Sequence, residues 1–398
     1  MLARKSVKQS FRPSERMLGL MRLFRDMTNT CVRIGLENDV STLKRLSLLS
    51  YHRLKGFEVP SYYKLCAISR AAGIPAARKK SIRRGYLTKD PYTRKLVLVS
   101  CYGFKVKDGS LLVPVSDRQY EQVPLNNHTQ DVLTDLTLRV CSFVLTDRSL
   151  SLCVSKDVKE MEGLTSTVGI DRNLENIAVG NAKHVTFYDT REVVRISQTT
   201  REIVASFRRN DRRIRGRIAS KYGIRRKHRV VQILHRISKV IVQSAKENKE
   251  AIVFEDIRHI RGLYRKGNGQ GTSYRGRMNS WPFAEVKRQI EYKARWEGIP
   301  VIQLTRSDTR GTSSLCPKCG ERIPRTRGTE LDRQLWCRRC GEWFDRDLVA
   351  VLNISRRGRL RFERSQGLPS EAMRQERGLV PPILRVDGSK LTQAVAHQ

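Results

Sequence analysis

Apolar residues in the first part of the chain recur three or four positions apart, which places them on one face of a helix. The run follows Ser14, a residue type that favours the start of a helix. Two further segments before residue 85 have the same character, and Gly73 and Pro75 predict the end of the last one. We therefore expect a helical block over residues 14–85. Its first stripe consists of Met17, Leu20, Met21, Leu23, Phe24 and Met27.

Beyond this block the pattern changes to β-branched residues with partial alternation, which is typical of strands. Asp108 and Gly109 form an Asp-Gly pair, which predicts a tight turn between two of these strands. The opening segment of the chain also resembles a strand. The sequence therefore predicts a small β-barrel or curled sheet over residues 1–13 and 86–164, with the helical block as an insertion.

A third pattern begins at Thr165, where three short strand-like segments with tight turns follow one another. A long basic region comes next, and the second half of it has an apolar stripe at helical spacing. A strand, a glycine-rich loop, a helix, a strand, a cysteine-rich block and a last helix complete the order. Without the cysteine-rich block, this is the element order of a ribonuclease H-like α/β fold. The stripe consists of Val230, Leu234, Ile237 and Ile241.

The charge of the chain indicates a polyanionic partner. Among 398 residues, 78 are Lys or Arg and 39 are Asp or Glu, which gives a formal net charge of +39 at pH 7. The cations are spread along the whole chain, and this favours a long nucleic acid over a local basic anchor. The alternatives are an anionic membrane surface, a structural role like that of ribosomal proteins, and simple solubility.

Cysteine usage and the absence of long apolar runs indicate the compartment. The sequence has no apolar run of about 18 residues and no apolar signal core near its start, so we expect neither a membrane-spanning helix nor secretion. Nine cysteines, an odd number, fit a reducing cytoplasm better than a disulfide framework. Five of them are scattered, and we interpret them as reduced core residues. These are Cys31, Cys66, Cys101, Cys141 and Cys153.

The other four cysteines form two Cys-x-x-Cys pairs, each followed by glycine. Two intervening residues let both sulfurs of a pair turn toward one point, and four thiolates suit one tetrahedral zinc ion. Such a zinc is structural, because four thiolates leave no position for water. A redox pair would need only one such motif, and an iron–sulfur cluster is a further alternative. The expected ligands are Cys316, Cys319, Cys337 and Cys340. Arginines that could contact phosphate beside them are Arg322, Arg325, Arg327, Arg338 and Arg339.

Acidic residues stand at the ends of three predicted elements. Asp171 ends the first strand of the third region, Glu255 or Asp256 ends the fourth, and Asp345 and Asp347 begin the last helix. Carboxylates that converge there would repel each other unless a cation joined them, and Mg²⁺ prefers such oxygen ligands. Two such ions can activate water and stabilise the leaving 3′ oxygen. The alternative for each acid alone is a turn or cap residue: Asp345 suits a helix cap, and Asp256 should point to the opposite face of its strand.

Basic and aromatic residues suggest further nucleic-acid contacts. Residues 201–249 are rich in Lys and Arg and could follow a nucleic-acid backbone, although a solvated helix face is the alternative. The glycine-rich loop lacks the Lys-Ser/Thr ending of a phosphate-binding loop, so we interpret it as a lid with Tyr264 and Tyr274 as stacking residues. The basic candidates are Arg208, Arg209, Arg212, Arg213, Arg225, Arg226 and Lys227. His228, His235 and His259 are interpreted as surface or packing residues.

Four motifs resemble the TnpB family, transposon-encoded RNA-guided nucleases related to Cas12. They are "VGIDRNLENIAVG", "IVFEDI", "GTSSLCPKCG" and "CRRCGEWFDRDLVAVLNI", and the match covers about residues 165–356. The resemblance implies that Asp171, Glu255 and Asp347 are the catalytic acids of a RuvC site that binds magnesium, with two ions expected. It also implies that the four clustered cysteines bind one structural zinc. Val349 departs from the family pattern, where Asn is usual, and Val351 replaces an Ala.

The resemblance also implies how the chain is divided into domains. We expect a multidomain α+β protein: an RNase H-like (RuvC) domain with an inserted zinc ribbon, and an N-terminal wedge-like β-barrel interrupted by a helical recognition lobe. The expected bounds are 1–13 and 86–164 for the barrel, 14–85 for the lobe, 165–311 and 345–360 for the RuvC-like domain, 312–344 for the ribbon, and 361–398 for a loose tail.

The implied function is RNA-guided cleavage of target DNA next to a short motif. The partners would be a guide RNA and double-stranded DNA, bound by a monomer in a ribonucleoprotein of the prokaryotic cytoplasm, at the nucleoid. A guided repressor without nuclease activity, or a transposition accessory protein, is the alternative on the same scaffold. Some relatives have lost their acids, whereas this chain keeps all three. A plain zinc-ribbon RNA-binding protein would leave those acids unexplained.

Overall fold

The computed structural model divides the chain into two compact units, Leu2–Asp157 and the remainder from Val158, which includes Met1. The structure describes residues 1–257, 260–324, 333–366 and 380–391, with side chains of the last helix described as far as 362. The elements of the first unit are β1 (Leu2–Ser10), α1 (Glu15–Glu37), α2 (Leu43–Ser50), α3 (Ser61–Arg83), β2 (Val97–Ser100), β3 (Lys105–Lys107), β4 (Ser110–Ser116), β5 (Gln119–Pro124), α4 (Asn127–Leu133), β6 (Arg139–Thr146) and β7 (Ser149–Asp157).

The strands of the first unit form two antiparallel sheets. One has the order β1-β7-β6-β2 and the other β3-β4-β5. The opening strand therefore pairs with β7, as the sequence suggests, while closure into a barrel stays a prediction. One hydrophobic core contains residues from the helices, such as Met17 and Ala67, and from the strands, such as Phe143. The predicted boundary at residue 86 thus runs through a shared core.

The predicted helix cap and hairpin turn of this unit are confirmed, whereas two other predictions are wrong. The Ser14 side chain accepts a hydrogen bond from the Met17 amide and caps α1, and Asp108 and Gly109 have the positive φ angles of a two-residue hairpin turn. In contrast, α3 continues through Pro75 to Arg83, because the buried Pro75 ring packs beside Gly35 of α1. Tertiary packing here outweighs the helix-breaking tendency of proline.

The second wrong prediction concerns the scattered cysteines. Cys31 is buried in the core, as expected, whereas Cys101 is exposed in the bend that follows β2. The other three are only partly buried: Cys66, Cys141 and Cys153.

The second unit is built around a six-stranded sheet. Its order is β12-β11-β8-β9-β10-β15, with β8, β11 and β12 mutually parallel and β8, β9 and β10 antiparallel neighbours. The elements are β8 (Ser166–Arg172), β9 (Asn176–Gly180), β10 (Val185–Asp189), α5 (Arg191–Ser206), α6 (Arg212–Glu247), β11 (Glu250–Phe254), α7 (Thr272–Ser280), α8 (Phe283–Trp296), β12 (Val301–Gln303), β13 (Gln334–Cys337), β14 (Glu342–Asp345), α9 (Arg346–Gln366) and β15 (Ile383–Asp387).

Three features of this unit differ from the predicted order. Two helices, α5 and α6, follow β10 where one was expected, and the glycine-rich loop contains α7. The expected loose tail from 361 is wrong in two places: α9 runs to Gln366, and Ile383–Asp387 pairs in parallel with β10. The second of these segments is ordered by further contacts, because Arg236 of α6 donates to the carbonyl oxygens of Ser389 and Leu391.

Helix α9 lies directly on the sheet because two glycines leave room for it. A Cβ at Gly169 of β8 would lie 2.7 Å from the Ser355 nitrogen and closer still to the Val351 oxygen. A Cβ at Gly358 would overlap the side chain of Val253 on β11. The backbone of α9 therefore approaches the strand that carries Asp171, and this sets the position of the first turn of the helix.

In the described ranges, no helix combines the length and the apolar character needed to cross a lipid bilayer.

Candidate functional site

The three predicted acids meet at one end of the six-stranded sheet. β8 and β11 are parallel with Ile170 opposite Phe254, so Asp171 and Glu255 follow at the same edge. The carboxyl groups of these two residues share a hydrogen bond. Asp347 lies in the first turn of α9, is 3% exposed, and its charge acts on Asp171. Asp171 therefore interacts with both of the other acids.

Burial and mutual repulsion change the acidity of this group. Burial, followed by the charge of Asp347, raises the pKa of Asp171. Burial and then the charge of Asp171 raise the pKa of Glu255 to about 8, which keeps a proton on Glu255 at neutral pH. A bound cation could replace this proton and relieve the repulsion.

Two asparagines of the β8–β9 turn hold the carboxylates. Asn173 Nδ2 donates to Asp171 Oδ2 over 2.9 Å, and Asn176 Nδ2 donates to Asp347 Oδ2 over 3.0 Å. The Asn173 amide also donates to Asn176 Oδ1 over 3.2 Å. The turn thereby links the acid on β8 to the acid on α9 and fixes the orientation of both.

Two arginines approach the acids from different sides. Arg333, just before β13, donates to Asp347 Oδ2 in an ion pair. Arg172 is buried and donates to the backbone oxygens of Glu255 over 3.1 Å and Phe283 over 3.2 Å, so it ties the end of β11 to the start of α8. Burial lowers the pKa of Arg172, and the nearby charge of Glu255 opposes this shift.

The neighbouring acids have other positions. Asp345 Oδ1 accepts hydrogen bonds from the Asp347 amide over 2.8 Å and the Leu348 amide over 3.3 Å, so it caps α9, the structural alternative raised for it. Burial, followed by the charge of Asp347, raises the pKa of Asp345. Asp256 borders a cavity of about 740 Å³ together with Glu255. The cavity is lined by both apolar and cationic side chains, mainly Arg172, Arg261, Lys287, Arg361, Ile257, Ile260, Phe283 and Leu304.

The four clustered cysteines come together around one point. The Cys316 and Cys340 sulfurs are 3.7 Å apart, and the Cys319 and Cys337 sulfurs are 3.5 Å apart. Four thiolates about 2.3 Å from one zinc would be separated by about 3.8 Å, so the donor set fits this ion. Each pair is followed by a glycine with positive φ, 77° at Gly320 and 65° at Gly341, and those amides bond back to the first cysteine of the pair.

This cluster is more compact than the acid group. A group of at least three His, Cys, Asp or Glu side chains whose ligand atoms all lie within 4.8 Å of one another could hold a metal ion. Among the described residues, the four cysteines are the only such group. Asp171, Glu255 and Asp347 do not meet this criterion, so their oxygens are spread more widely. The donors of the two groups also differ: soft sulfur in one and hard oxygen in the other.

The part of the chain that contains the four cysteines and Asp347 resembles known proteins. Residues 283–354, from the start of α8 into α9, match the family model described as Cas12f1-like, TNB domain. A TnpB-like protein of Methanocaldococcus jannaschii is 35% identical over 153 residues, which cover 38% of this chain and 49% of the relative. Over this part of its length the chain is similar to proteins of the TnpB/Cas12-related family.

Two further similarities are consistent with this family. The CRISPR-associated endodeoxyribonuclease Cas12f1 of Sulfoacidibacillus thermotolerans is 31% identical over 123 residues, 30% of this chain and 25% of the relative. The chain thus spans at most about half the length of these curated relatives. The cryo-EM structure of a Cas12f1-sgRNA-target DNA complex has the same overall fold, with a TM-score of 0.58, 13% identity, and coverage of 85% of this chain and 81% of that chain.

The basic candidates lie on and before α6. Arg208 and Arg209 are exposed between α5 and α6, and the remaining five lie on the first half of α6, where only Arg226 is partly buried. Arg338 and Arg339 are exposed at the tip of the β13–β14 hairpin. Arg325, Arg327 and His259 lie outside the described residues.

The two tyrosines of the glycine-rich loop contact each other. The rings of Tyr264 and Tyr274 are 5.9 Å apart in an edge-to-face arrangement. Arg277 of α7 forms an ion pair with Glu175 of the β8–β9 turn over 3.7 Å, which holds the loop beside the acid group. Stacking of either ring on a base stays a prediction.

Sequence reasoning missed Asn173, Asn176, Arg172 and Arg333. Three of them belong to the segment "DRNLEN" that begins at Asp171, so their closeness to a candidate acid could have drawn attention. Arg333 has no such signal, since it precedes Asp347 by 14 residues and reaches it only because the hairpin folds back.

Proposed function

We propose that this chain is an RNA-guided endonuclease that cuts DNA by metal-dependent hydrolysis of phosphodiester bonds. The observation that carries the proposal is the meeting of Asp171, Glu255 and Asp347 from three separate elements, with a hydrogen bond between the carboxyl groups of Asp171 and Glu255. A protein that only binds nucleic acid has no need for buried carboxylates that raise each other's pKa. Perturbed acids of this kind are typical of reactive sites.

The sheet supports an RNase H-like (RuvC) assignment for the catalytic domain. Strands β10, β9, β8, β11 and β12 lie side by side in the order third, second, first, fourth and fifth. Asp171 lies near the end of the first strand, Glu255 directly follows the fourth, and Asp347 lies in the first turn of the last helix. Ligands of open α/β sheets bind at the carboxyl ends of the parallel strands, where Asp171 and Glu255 are found.

Asp171, Glu255 and Asp347 would hold Mg²⁺, with two ions expected, because their oxygens are hard ligands held at one place by the fold. Bound Mg²⁺ supplies charge to activate the attacking water and stabilise the leaving oxygen. The chain itself orients the carboxylates through Asn173 and Asn176. Proton release from Glu255 would accompany ligation, since a carboxylate must be ionised to bind the ion.

The four cysteines would hold one structural zinc ion. All four positions are occupied by sulfur, so no place remains for a reactive water. The ribbon would fix the β13–β14 hairpin, which carries Arg333 and ends at Asp345. Its proposed role is therefore to position residues beside the acids.

The substrate would be double-stranded DNA selected by a guide RNA. The net charge of +39 and the exposed cations of α6 and of the hairpin support binding to nucleic acid. The similar Cas12f1 structure is a complex with sgRNA and target DNA. In such systems base pairing reads the sequence while the protein recognises the shape and backbone of the duplex. We further propose a monomeric ribonucleoprotein, with the first unit as the wedge-like and helical parts.

The test is to purify the full chain with the RNA it retains, sequence that RNA, and assay cleavage of matching DNA with added Mg²⁺. We expect Asp171→Asn to lower the cleavage rate by about 100-fold or more, because misplacement of reacting groups has effects of this size. Glu162→Gln is the matched control: it also removes one acid from the second unit, but from an exposed loop. Equal rates for wild type and Asp171→Asn would refute the site.

A further inference from the structure

The β13–β14 hairpin of the ribbon has one buried face and one exposed aromatic face. Leu335 and Phe344 are paired across the strands and buried. Trp336 and Trp343 are paired on the other face and are 38% and 53% exposed. Their rings are 5.2 Å apart and tilted by 49°. Two neighbouring indoles thus form an apolar surface open to solvent.

This surface lies between a cationic tip and the candidate acids. Arg338 and Arg339 are exposed at the tip, directly after β13. In the other direction, Asp345 follows Trp343 by two residues and therefore lies on the same face of β14, about 7 Å further along. Asp345 caps the helix that carries Asp347. The order along the hairpin is thus cations, aromatic rings, carboxylates.

A nucleic-acid strand has the complementary order of groups. Its phosphates would meet the arginines, an unpaired base would lie on the indoles, and the next phosphate would approach the acids. Aromatic rings accept any base, because every base has a flat π-face. The net charge of +39 favours a nucleic acid over another protein surface as the occupant.

We propose that Trp336 and Trp343 form a stacking surface for an unpaired base of the strand that reaches the acid group. The delivery to the acids rests on the proposed nuclease function, but the stacking itself does not. It accounts for two exposed tryptophans in a hairpin whose core is already filled by Leu335, Phe344 and the cysteines.

The test measures binding of single-stranded DNA to the full-length protein, freed of retained RNA, with no added Mg²⁺. Two fluorescein-labelled oligonucleotides of equal length are compared: oligo-dT, and an abasic strand with the same number of phosphates. We expect the double variant Trp336→Ala/Trp343→Ala to bind oligo-dT roughly tenfold more weakly. Its affinity for the abasic strand should match that of the wild type, because the phosphate contacts are unchanged.

Matched variants separate stacking from charge and from folding. Arg338→Ala/Arg339→Ala should weaken binding of both strands, and Trp336→Phe/Trp343→Phe should restore most of the oligo-dT affinity. Zinc content near one per chain in each variant verifies that the ribbon is intact. Equal loss of affinity for both strands, or no loss for either, would overturn the proposal. A tryptophan-dependent change of oligomeric state without any effect on oligo-dT would also overturn it, because it would assign the face to protein contact.

The outcome is independent of cleavage. Tryptophan-dependent binding without nuclease activity would leave the stacking surface in place and refute the proposed function. Active cleavage without any effect of the tryptophan variants on binding would support the proposed function and refute the stacking surface.

Discussion

At the scale of single residues, the second unit contains partly buried ionisable groups whose pKa values are shifted in opposite directions. Glu255 retains its proton because burial and Asp171 oppose its ionisation. Lys293 of α8 tends to lose its proton, because burial and then Lys239 lower its pKa to about 7. Its amine donates to Ser238 Oγ of α6 over 2.7 Å, so it joins the two helices in either protonation state.

This shift predicts a dependence of stability on pH. The pKa of an unfolded lysine is about 10.4, so between about pH 7 and 10 the folded state binds fewer protons than the unfolded state. Stability therefore rises with pH in that window. We expect the free energy of unfolding of the wild type, minus that of Lys293→Met, to increase by up to about 1.4 kcal/mol per pH unit from pH 7 to 9. Urea unfolding at several pH values measures it, and a constant difference would contradict the assignment.

Some residues of the site could be predicted from the sequence, and others could not. Asp171 lies near the end of an apolar strand and Glu255 directly follows another, and such positions can be recognised in a chain whose strands are themselves recognisable. The amide donors on Asp171 and Asp347 depend on the conformation of one tight turn, and the ion pair of Arg333 depends on a hairpin. Neither these hydrogen bonds nor the ion pair can be predicted from the spacing of residues along the chain.

At the scale of elements, the position of α9 depends on the space left by Gly169. We expect Gly169→Ala to lower the free energy of unfolding by about 2–3 kcal/mol, because the added methyl group would press on the helix backbone, which cannot turn aside as a side chain can. Urea unfolding measures the loss. Gly216→Ala in α6 is the control: a Cβ there meets nothing within 4 Å, so a gain of up to about 1 kcal/mol is expected. Similar effects of both changes would argue against close packing at Gly169.

We expect the folding of the ribbon to depend on the zinc ion that its four cysteines would bind. Cys337→Ser removes one of four sulfur donors, so we expect zinc content to fall from about one per chain toward zero, with a loss of about 4 kcal/mol in stability. Elemental analysis and thermal unfolding measure these effects. Cys101→Ser, at an exposed cysteine outside the cluster, should retain both zinc and stability. Full zinc content in Cys337→Ser would exclude this cysteine as a ligand.

Elements were predictable where the pattern was regular. The stripe from Val230 to Ile241 identifies α6, and the apolar run at 251–254 identifies β11. The prediction failed at α3, where the contact of Pro75 with another helix decides the outcome, and at β15, whose partner β10 lies almost 200 positions earlier in the chain. Both failures come from contacts between distant segments.

At the scale of the whole molecule, the excess of cations predicts binding that weakens with salt. For a single strand, the slope of log K against log salt should become shallower by about 0.7 for each phosphate that the protein no longer neutralises. We therefore expect Arg225→Ala/Lys227→Ala to reduce the slope by about 1.4, measured with oligo-dT. Arg225→Lys/Lys227→Arg keeps the charge and should keep the slope. An unchanged slope in the alanine variant would favour the alternative of a solvated helix face.

The last strand has a practical consequence for anyone who shortens this chain. Cutting at residue 360, where composition becomes polar, would remove β15 and leave the β10 backbone unpaired along one side. Bare strands of this kind recruit strands from other molecules, so the trimmed product would tend to self-associate. It would also leave Arg236 without the two carbonyl oxygens it now holds. A compact derivative of this protein should therefore keep its residues through Leu391 and save length elsewhere.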